Sequence, residues 1–149
     1  MPFALMPAKD AHRAFARDLT RRAMLPYYRE YDLLWVEEAF DQSWGWREQW
    51  VVMDEGELLG FCSLSQDTHA LFIRELHLVP EHRGRGVGSW VLEELASWSA
   101  LRYLPLLRLM VFKNNPARRL YLRHGFVEMG EDDCFVRMQR TIDIPDDVS

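Results

Sequence analysis

The stretch Arg83-Gly84-Arg85-Gly86-Val87-Gly88 stands between an apolar run, Ala70 to Val79, and a helical run that opens Ser89-Trp90-Val91-Leu92-Glu93-Glu94-Leu95. Three glycines at alternating positions let the main chain approach a ligand with no side chain in the way. The first turn of the following helix leaves N–H groups unpaired at the positive end of its dipole, and both features favour an anion. Arg83 and Arg85 add positive charge at the same spot. The stretch reads as a cradle for a diphosphate, at a strand-to-helix junction.

Working outward, Phe3 to Met6 is expected as a first strand, ended by Pro7. Asp10 is the expected cap of a helix running to about Met24, with Ala14, Phe15, Leu19 and Ala23 on its buried face. Pro26 separates it from a second helical stretch, from about Tyr27 to Phe40. Gln49 to Met53 and Leu58 to Ser65 form a hairpin around Asp54-Glu55-Gly56-Glu57, and Ala70 to Val79 is a long strand closed by Pro80. Beyond the glycines, a helix extends to about Arg102 and Leu106 to Phe112 forms a strand. Asn114-Asn115-Pro116 opens a short helix to His124 that Gly125 stops, and Phe126 to Met129 with Cys134 to Gln139 closes as a hairpin. The order implies an α/β (α+β) fold, a mixed sheet flanked by helices. Residues 1–141 are read as one domain and 142–149 as an acidic tail expected to fray.

A chain of 149 residues with 48% hydrophobic residues suits one folded domain with a core of its own. A net charge of -5 disfavours non-specific binding of nucleic acid, and no nucleic-acid or membrane partner is expected. Cys62 and Cys134 belong to no paired motif and are expected as buried free thiols. The five histidines lack zinc-ligand spacing, so no metal is expected. No long apolar segment stands at the N-terminus and no run reaches bilayer length, and a cytoplasmic location is expected.

Two phosphate motifs fail on spacing. A Walker loop needs GxxxxGK[ST], and no lysine follows these glycines. The dinucleotide fingerprint needs GxGxxG and an acidic residue at the end of the next strand, whereas Gly84-Arg85-Gly86 runs straight into Val87-Gly88 and the next strand ends Phe112-Lys113. A third pattern fits. Arg83 to Gly88 resembles the Q/R-x-x-G-x-G/A segment of the GCN5-related N-acetyltransferase (GNAT) superfamily. Glu75-Leu76-His77-Leu78-Val79-Pro80-Glu81-His82 is similar to the strand and proline turn before that segment. Asn114-Asn115-Pro116-Ala117-Arg118-Arg119-Leu120-Tyr121, followed by Gly125-Phe126, resembles the family's later N-x-x-A-x-x-L-Y-x-x-x-G-F segment. The likeness spans roughly Gln49 to Gln139, and two segments in the right order make it specific.

The resemblance implies a central, mostly antiparallel twisted sheet flanked by helices, and acetyl-CoA as the acyl donor. Backbone N–H groups of Arg85, Gly86, Val87, Gly88 and Ser89 would then receive its diphosphate, with Arg83 supporting the turn. Leu78 and Val79 would run beside the pantetheine, and a backbone N–H of this strand would stabilise the oxyanion of a tetrahedral intermediate. Tyr121 takes the position of a general acid for the departing thiolate. A tyrosine of pKa about 10 facing a thiol of about 8.5 needs help from the site to give up its proton. Asn114 would bond the cofactor or the neighbouring strand, or else act as an ordinary cap, a role that Asn115 beside it is also able to fill.

The acceptor amine must lose a proton, and strand alternation puts Ile73, Glu75 and His77 on one face. Glu75 or His77 is therefore a candidate base; the alternatives are an ion-paired Glu75 and a histidine without a catalytic part. Tyr27, Tyr28, Tyr31, Trp35, Trp44, Trp46 and Trp50 either wall an acceptor pocket, where they would suit a cation or a flat group, or form core. Glu37, Glu38 and Asp41 either attract an amine or make a solvated helix face. The expected activity is acetyl transfer to a primary amine, on a small molecule, a peptide terminus or a lysine, by direct attack in a ternary complex. Neither cysteine lies in the resembling segments, which disfavours an acyl-cysteine route. The alternatives are a CoA-binding regulatory module with little turnover, and an interaction protein with an incidental glycine turn. A homodimer is admitted.

Overall fold

The computed structural model describes residues 3–145. Its elements are β1 (Phe3–Pro7), α1 (Arg13–Glu30), α2 (Glu37–Trp44), β2 (Glu48–Asp54), β3 (Glu57–Gln66), β4 (Ala70–Leu78), α3 (Val87–Leu101), β5 (Leu106–Phe112), α4 (Ala117–Arg123), β6 (Val127–Glu131) and β7 (Phe135–Thr141). The seven strands share one mixed sheet in the order β1-β2-β3-β4-β5-β7-β6. Contacts group the chain into two compact units, residues 3–65 with 74–87 and residues 66–73 with 88–145, and β4 runs through both.

In the first unit β1 and β2 are antiparallel, from Phe3↔Asp54 to Pro7↔Trp50, and β2 turns back on β3. The turn between them has positive φ at both central residues, Glu55 (48°) and Gly56 (86°), the geometry that suits two-residue hairpins. The register slips between Val52 and Met53, so that Leu59 becomes an extra residue on β3. A core of Ala16, Leu19, Phe40 and Phe61 forms between the helices and the strands, with Phe15, Trp35, Trp44 and Val79 packed against it.

In the second unit β4 pairs in parallel with β5, Ala70–Ile73 against Leu106–Leu109, while β5–β7 and β6–β7 are antiparallel. Helix α3 buries Val87, Val91, Leu92, Leu95 and Ala96, the spacing of one helical face. Ser99 on that face is buried and its hydroxyl donates to the Leu104 carbonyl at 2.7 Å.

Several boundaries differ from expectation. Asp10 does not cap α1. Residues Asp10–His12 form a 3-10 turn closed by Lys9 N–H donating to His12 Nδ1 (2.9 Å), the Asp10 carboxylate binds Arg13, and the helix starts at Arg13. Ala14 is exposed, and Ala16, Leu19 and Thr20 form the buried face. Pro26 lies inside α1 and does not end it, because the one carbonyl that loses its partner belongs to exposed Arg22, where water can take over the bond. The second helix is accordingly Glu37–Trp44 and does not begin near Tyr27. The strand ends of the closing hairpin shift to Glu131 and Thr141. Ile142 is not frayed: it is buried and its N–H donates to the Pro105 carbonyl at 2.8 Å. The remainder of the expected tail, from position 146, lies outside the described residues. Both cysteines are free thiols, but only Cys62 is buried and Cys134 is half-buried.

Candidate active site

After β4, Val79 N–H donates to the carbonyl of Leu59 at 2.8 Å, which the bulge in β3 presents, and the Val79 carbonyl accepts His82 N–H at 3.0 Å. Pro80–His82 is a 3-10 turn that hands the chain to the glycines. Gly84 (φ +81°) and Gly86 (φ +78°) both take the left-handed conformation, and a Cβ added at either would meet nothing within 4 Å. The left-handed backbone calls for glycine, and the empty surroundings show that no packing demand does. Helix α3 begins at once with Val87, which is buried and pins the loop's exit.

The two loop arginines have different surroundings. Arg85 Nη2 lies 2.9 Å from Asp54 Oδ2 at the end of β2, and Arg85 Nη1 lies 2.9 Å from His82 Nδ1. His82 Nε2 in turn lies 3.3 Å from Glu57 Oε1. The Arg85 side chain thus braces the loop on the β2–β3 hairpin, and its charge is matched by Asp54. Arg83 is exposed and supports the turn through its own N–H, which donates to the Pro80 carbonyl at 3.2 Å.

On β4, Glu75 and His77 share a face, and His77 Nε2 lies 2.8 Å from Glu75 Oε1. The His77 side chain is 8% exposed and that of Glu75 24%, with Arg47 Nη1 at 4.0 Å from the other carboxylate oxygen. Glu75 therefore has the ion-pair surroundings and the histidine contact together. Burial pushes the Tyr28 hydroxyl pKa up and the Glu75 charge adds to this, so Tyr28 belongs to the same neighbourhood. Burial also pushes the Cys62 thiol up strongly, helped by the charges of Glu48 and Glu75, which keeps it a protonated thiol.

Gly60 of β3 was not anticipated. A Cβ there would come within 2.5 Å of the His77 carbonyl oxygen and 2.8 Å of Leu78 Cδ2. Only glycine lets β3 approach β4 this closely at His77–Leu78, and a lone glycine in an apolar strand was the available signal. Arg47 and Asp54 were likewise missed, because their partners lie far along the chain.

In the second unit, Ser89 of α3 faces His124 at the end of α4, with Oγ to Nε2 at 2.9 Å, and His124 Nδ1 lies 2.6 Å from Glu93 Oε2. Arg140 of β7 bonds the same carboxylate at 2.9 and 3.3 Å. The Asn115 side chain accepts Ala117 N–H at 2.9 Å and thus takes the helix-opening role that Asn114 was the other candidate for; Asn114 is exposed. Tyr121 is 9% exposed and its ring stands edge-on to Phe126, centroids 5.8 Å apart. Gly125 (φ +85°) ends α4, as expected.

Among the N-terminal aromatic side chains, Trp35 and Trp44 pack against the core, and the others except Trp46 are half-buried. Trp35, Phe40, Trp44 and Phe61 contact one another with centroids 5.9–6.3 Å apart, and Tyr28 touches Trp35 at 5.9 Å. Trp46 is 88% exposed. Asp41 and Glu37 hold Arg17 at 2.7 and 4.0 Å, which ties α2 to α1. Among the described residues no three His, Cys, Asp or Glu side chains are grouped to hold a metal ion, and no helix is long and apolar enough to cross a membrane.

Comparison with solved structures finds this fold repeatedly. The ribosomal-protein-S18-alanine N-acetyltransferase from Escherichia coli superposes with a TM-score of 0.77 at 18% identity, over 99% of this chain and 98% of that one. The PaiA N-acetyltransferase from Thermoplasma acidophilum, in complex with coenzyme A, gives 0.74 at 16% over 95% and 99%. The spermidine N-acetyltransferase from Vibrio cholerae, in complex with CoA and spermine, gives 0.75 at 20% over 94% and 95%. These likenesses establish the fold. No curated protein sequence matches. The model of the acetyltransferase (GNAT) domain matches residues 45–128, from before β2 into β6, and takes in the glycine turn, both flanking elements and α4. A match over more than half of the chain, centred on the left-handed glycines and the helix they open, places the protein in the GNAT acetyltransferase family.

Proposed function

We propose that this acetyltransferase passes an acetyl group from acetyl-CoA to a primary amine by direct attack in a ternary complex. The observation that carries the reading is the pair Gly84 and Gly86, left-handed, bare of neighbours, and joined directly to the first turn of α3. The residues present fit a diphosphate: N–H groups of Arg85, Gly86, Val87, Gly88 and Ser89 lie in the turn and the first helical positions, where intrahelical partners are lacking.

Along β4, backbone groups alternate between the two edges of the strand. Val79 directs its N–H at Leu59 of β3, so Val79 frames the strand end and Leu78 presents its N–H on the opposite edge. Pairing with the pantetheine and donation to a thioester oxyanion are assigned to Leu78. Glu75 and His77 act as a hydrogen-bonded pair that takes the proton of the ammonium group before attack, His77 receiving it and Glu75 stabilising the imidazolium. The amine nitrogen then bonds the acetyl carbon, the carbon–sulfur bond breaks, Tyr121 gives its proton to the thiolate, and the second proton on the nitrogen leaves to form the neutral amide and restores the phenol. Asn114, exposed at the entry to α4, is assigned to the cofactor.

The acceptor in this reading is a primary amine on a small molecule, a peptide terminus or a lysine, and the spermidine and ribosomal-protein enzymes among the structural neighbours act on amines of different classes. Two free cysteines fit a reducing compartment, the cytoplasm. The exposed Val127 and Met129 on β6 favour a homodimer. The test is release of free CoA thiol from acetyl-CoA with a panel of amines. Turnover with any acceptor supports the transferase; tight CoA binding without thiol release from any of them supports a binding module instead.

A further inference from the structure

The Ser89–His124–Glu93–Arg140 chain has no part in the reading above beyond the backbone N–H of Ser89. Its geometry is specific at every joint: 2.9 Å from Ser89 Oγ to His124 Nε2, 2.6 Å from Nδ1 to Glu93, and 2.9 Å from Arg140 to the same oxygen. The charged groups around the imidazole are Glu93, from α3, and Arg140, from β7. Arg140 holds the Glu93 carboxyl below the usual range, with a further contribution from His124, so Nδ1 faces a carboxylate and carries a proton in either state of the ring.

Only Nε2 can then change. In the neutral ring it is an acceptor, and the Ser89 hydroxyl proton points at it. In the charged ring it is a donor, Ser89 Oγ accepts from it, and the hydroxyl proton turns elsewhere. Ser89 lies in the first turn of α3, beside the glycines. We propose that His124 is a positioning residue for the cofactor, which, through Ser89, sets whether that hydroxyl donates to the imidazole or to the cofactor's diphosphate. The inference rests on the acetyl-CoA reading of the glycine turn. A hydroxyl released to a diphosphate makes a charge-assisted bond, and roughly a tenfold gain in CoA affinity follows when His124 is protonated.

The experiment is calorimetric titration of CoA into the wild type, His124→Gln, Ser89→Ala and the double variant, from about pH 5 to about pH 8. Titration of the cofactor's own phosphate is common to all four proteins. The expected result is that the wild type gains about tenfold more affinity on acidification than His124→Gln does, and that this excess disappears in the Ser89→Ala background. Equal pH dependence of wild type and His124→Gln overturns the inference, as does an excess that survives without the Ser89 hydroxyl. Both side chains are partly exposed, and unchanged melting temperatures certify the variants. If the folded wild type binds no CoA at any pH, the cofactor reading itself falls and this inference with it. Binding without a His124-dependent excess overturns the inference alone.

Discussion

Replacing Gly60 by alanine tests how β4 is positioned without substituting any residue assigned to the chemistry. The added Cβ would lie 2.5 Å from the His77 carbonyl oxygen, 2.8 Å from Leu78 Cδ2 and 3.3 Å from Leu78 Cα. The leucine methyl can swing aside, but the carbonyl and the Cα are main chain and can clear only if β4 itself moves. Ordinary contact begins at 3.4 Å, so the strand must shift by close to 1 Å at His77. Overpacking of this kind costs about 1–3 kcal/mol. For a chain of this length that lowers the melting temperature by roughly 3–10 °C. The same displacement carries His77 and Leu78 away from their assigned geometry, and a misplacement near 1 Å costs on the order of a hundredfold in rate. Thermal melting and thiol release, measured on one preparation, read both effects. A Gly60→Ala protein that melts and turns over like the wild type refutes the claim that the close approach of β3 sets the position of His77 and Leu78.

Three further outcomes are expected. Gly86→Ala faces open space and meets only the left-handed backbone, so it weakens CoA binding a few-fold, about 1 kcal/mol. Gly86→Asp adds a carboxylate at the diphosphate and weakens binding by at least about a hundredfold; equal losses for the two variants in calorimetry refute the cradle. Tyr121→Phe lowers turnover by about a hundredfold with little change in CoA affinity, and an unchanged rate removes Tyr121 from proton transfer. Asp67 and Asp132 have carboxyls held below the usual range by backbone N–H donors, His69 and Ala70 for the first, Phe135 and Cys134 for the second. Each carboxylate contributes stability that is present above its unfolded pKa of about 3.9 and is lost as pH falls through the lower folded value. The melting temperature of Asp67→Asn should therefore trail the wild type at neutral pH and converge on it in acid; a constant gap sinks the assignment.

Much of this fold was legible because its signals are local. Leu106 to Phe112 was bounded by Pro105 and the Asn-Asn-Pro turn, and the strand has those ends. The Glu55-Gly56 turn, the glycine loop and the Gly125 stop each announce a backbone that few residues adopt, and each occurs with positive φ. The N-terminal region was misread where tertiary context outweighed local preference. Proline in an α-helix is costly in isolation, yet α1 runs through Pro26 because the orphaned carbonyl belongs to an exposed residue and the helix packs through Ala16, Leu19 and Thr20 a turn and more earlier. At the site, sequence could nominate Glu75 and His77 by strand alternation, but not that they bond each other or that Arg47 attends them. Gly60 and His124 escaped for the same reason: the contacts that single each out are with partners on another element.

The electrostatics of the glycine turn explain how a chain of net charge -5 can serve an anionic ligand. Around the turn, the Arg85 charge is matched by Asp54, while Arg83 is exposed. Beside Arg83 stands the main chain: N–H dipoles fixed by two left-handed glycines and by the start of a 15-residue helix whose buried Val87 prevents the turn from relaxing. Fixed dipoles need no reorganisation when the ligand arrives and release few counterions, so affinity comes from geometry more than from net charge. Arg85 then has a structural reason to be arginine. Its fork reaches Asp54 and His82 at once, and it ties the turn to the hairpin that also carries Gly60 and the Leu59 bulge. The hairpin thus braces both the glycine turn and the end of β4, and under the proposed function one piece of antiparallel sheet would set the spacing between cofactor phosphate and reacting strand.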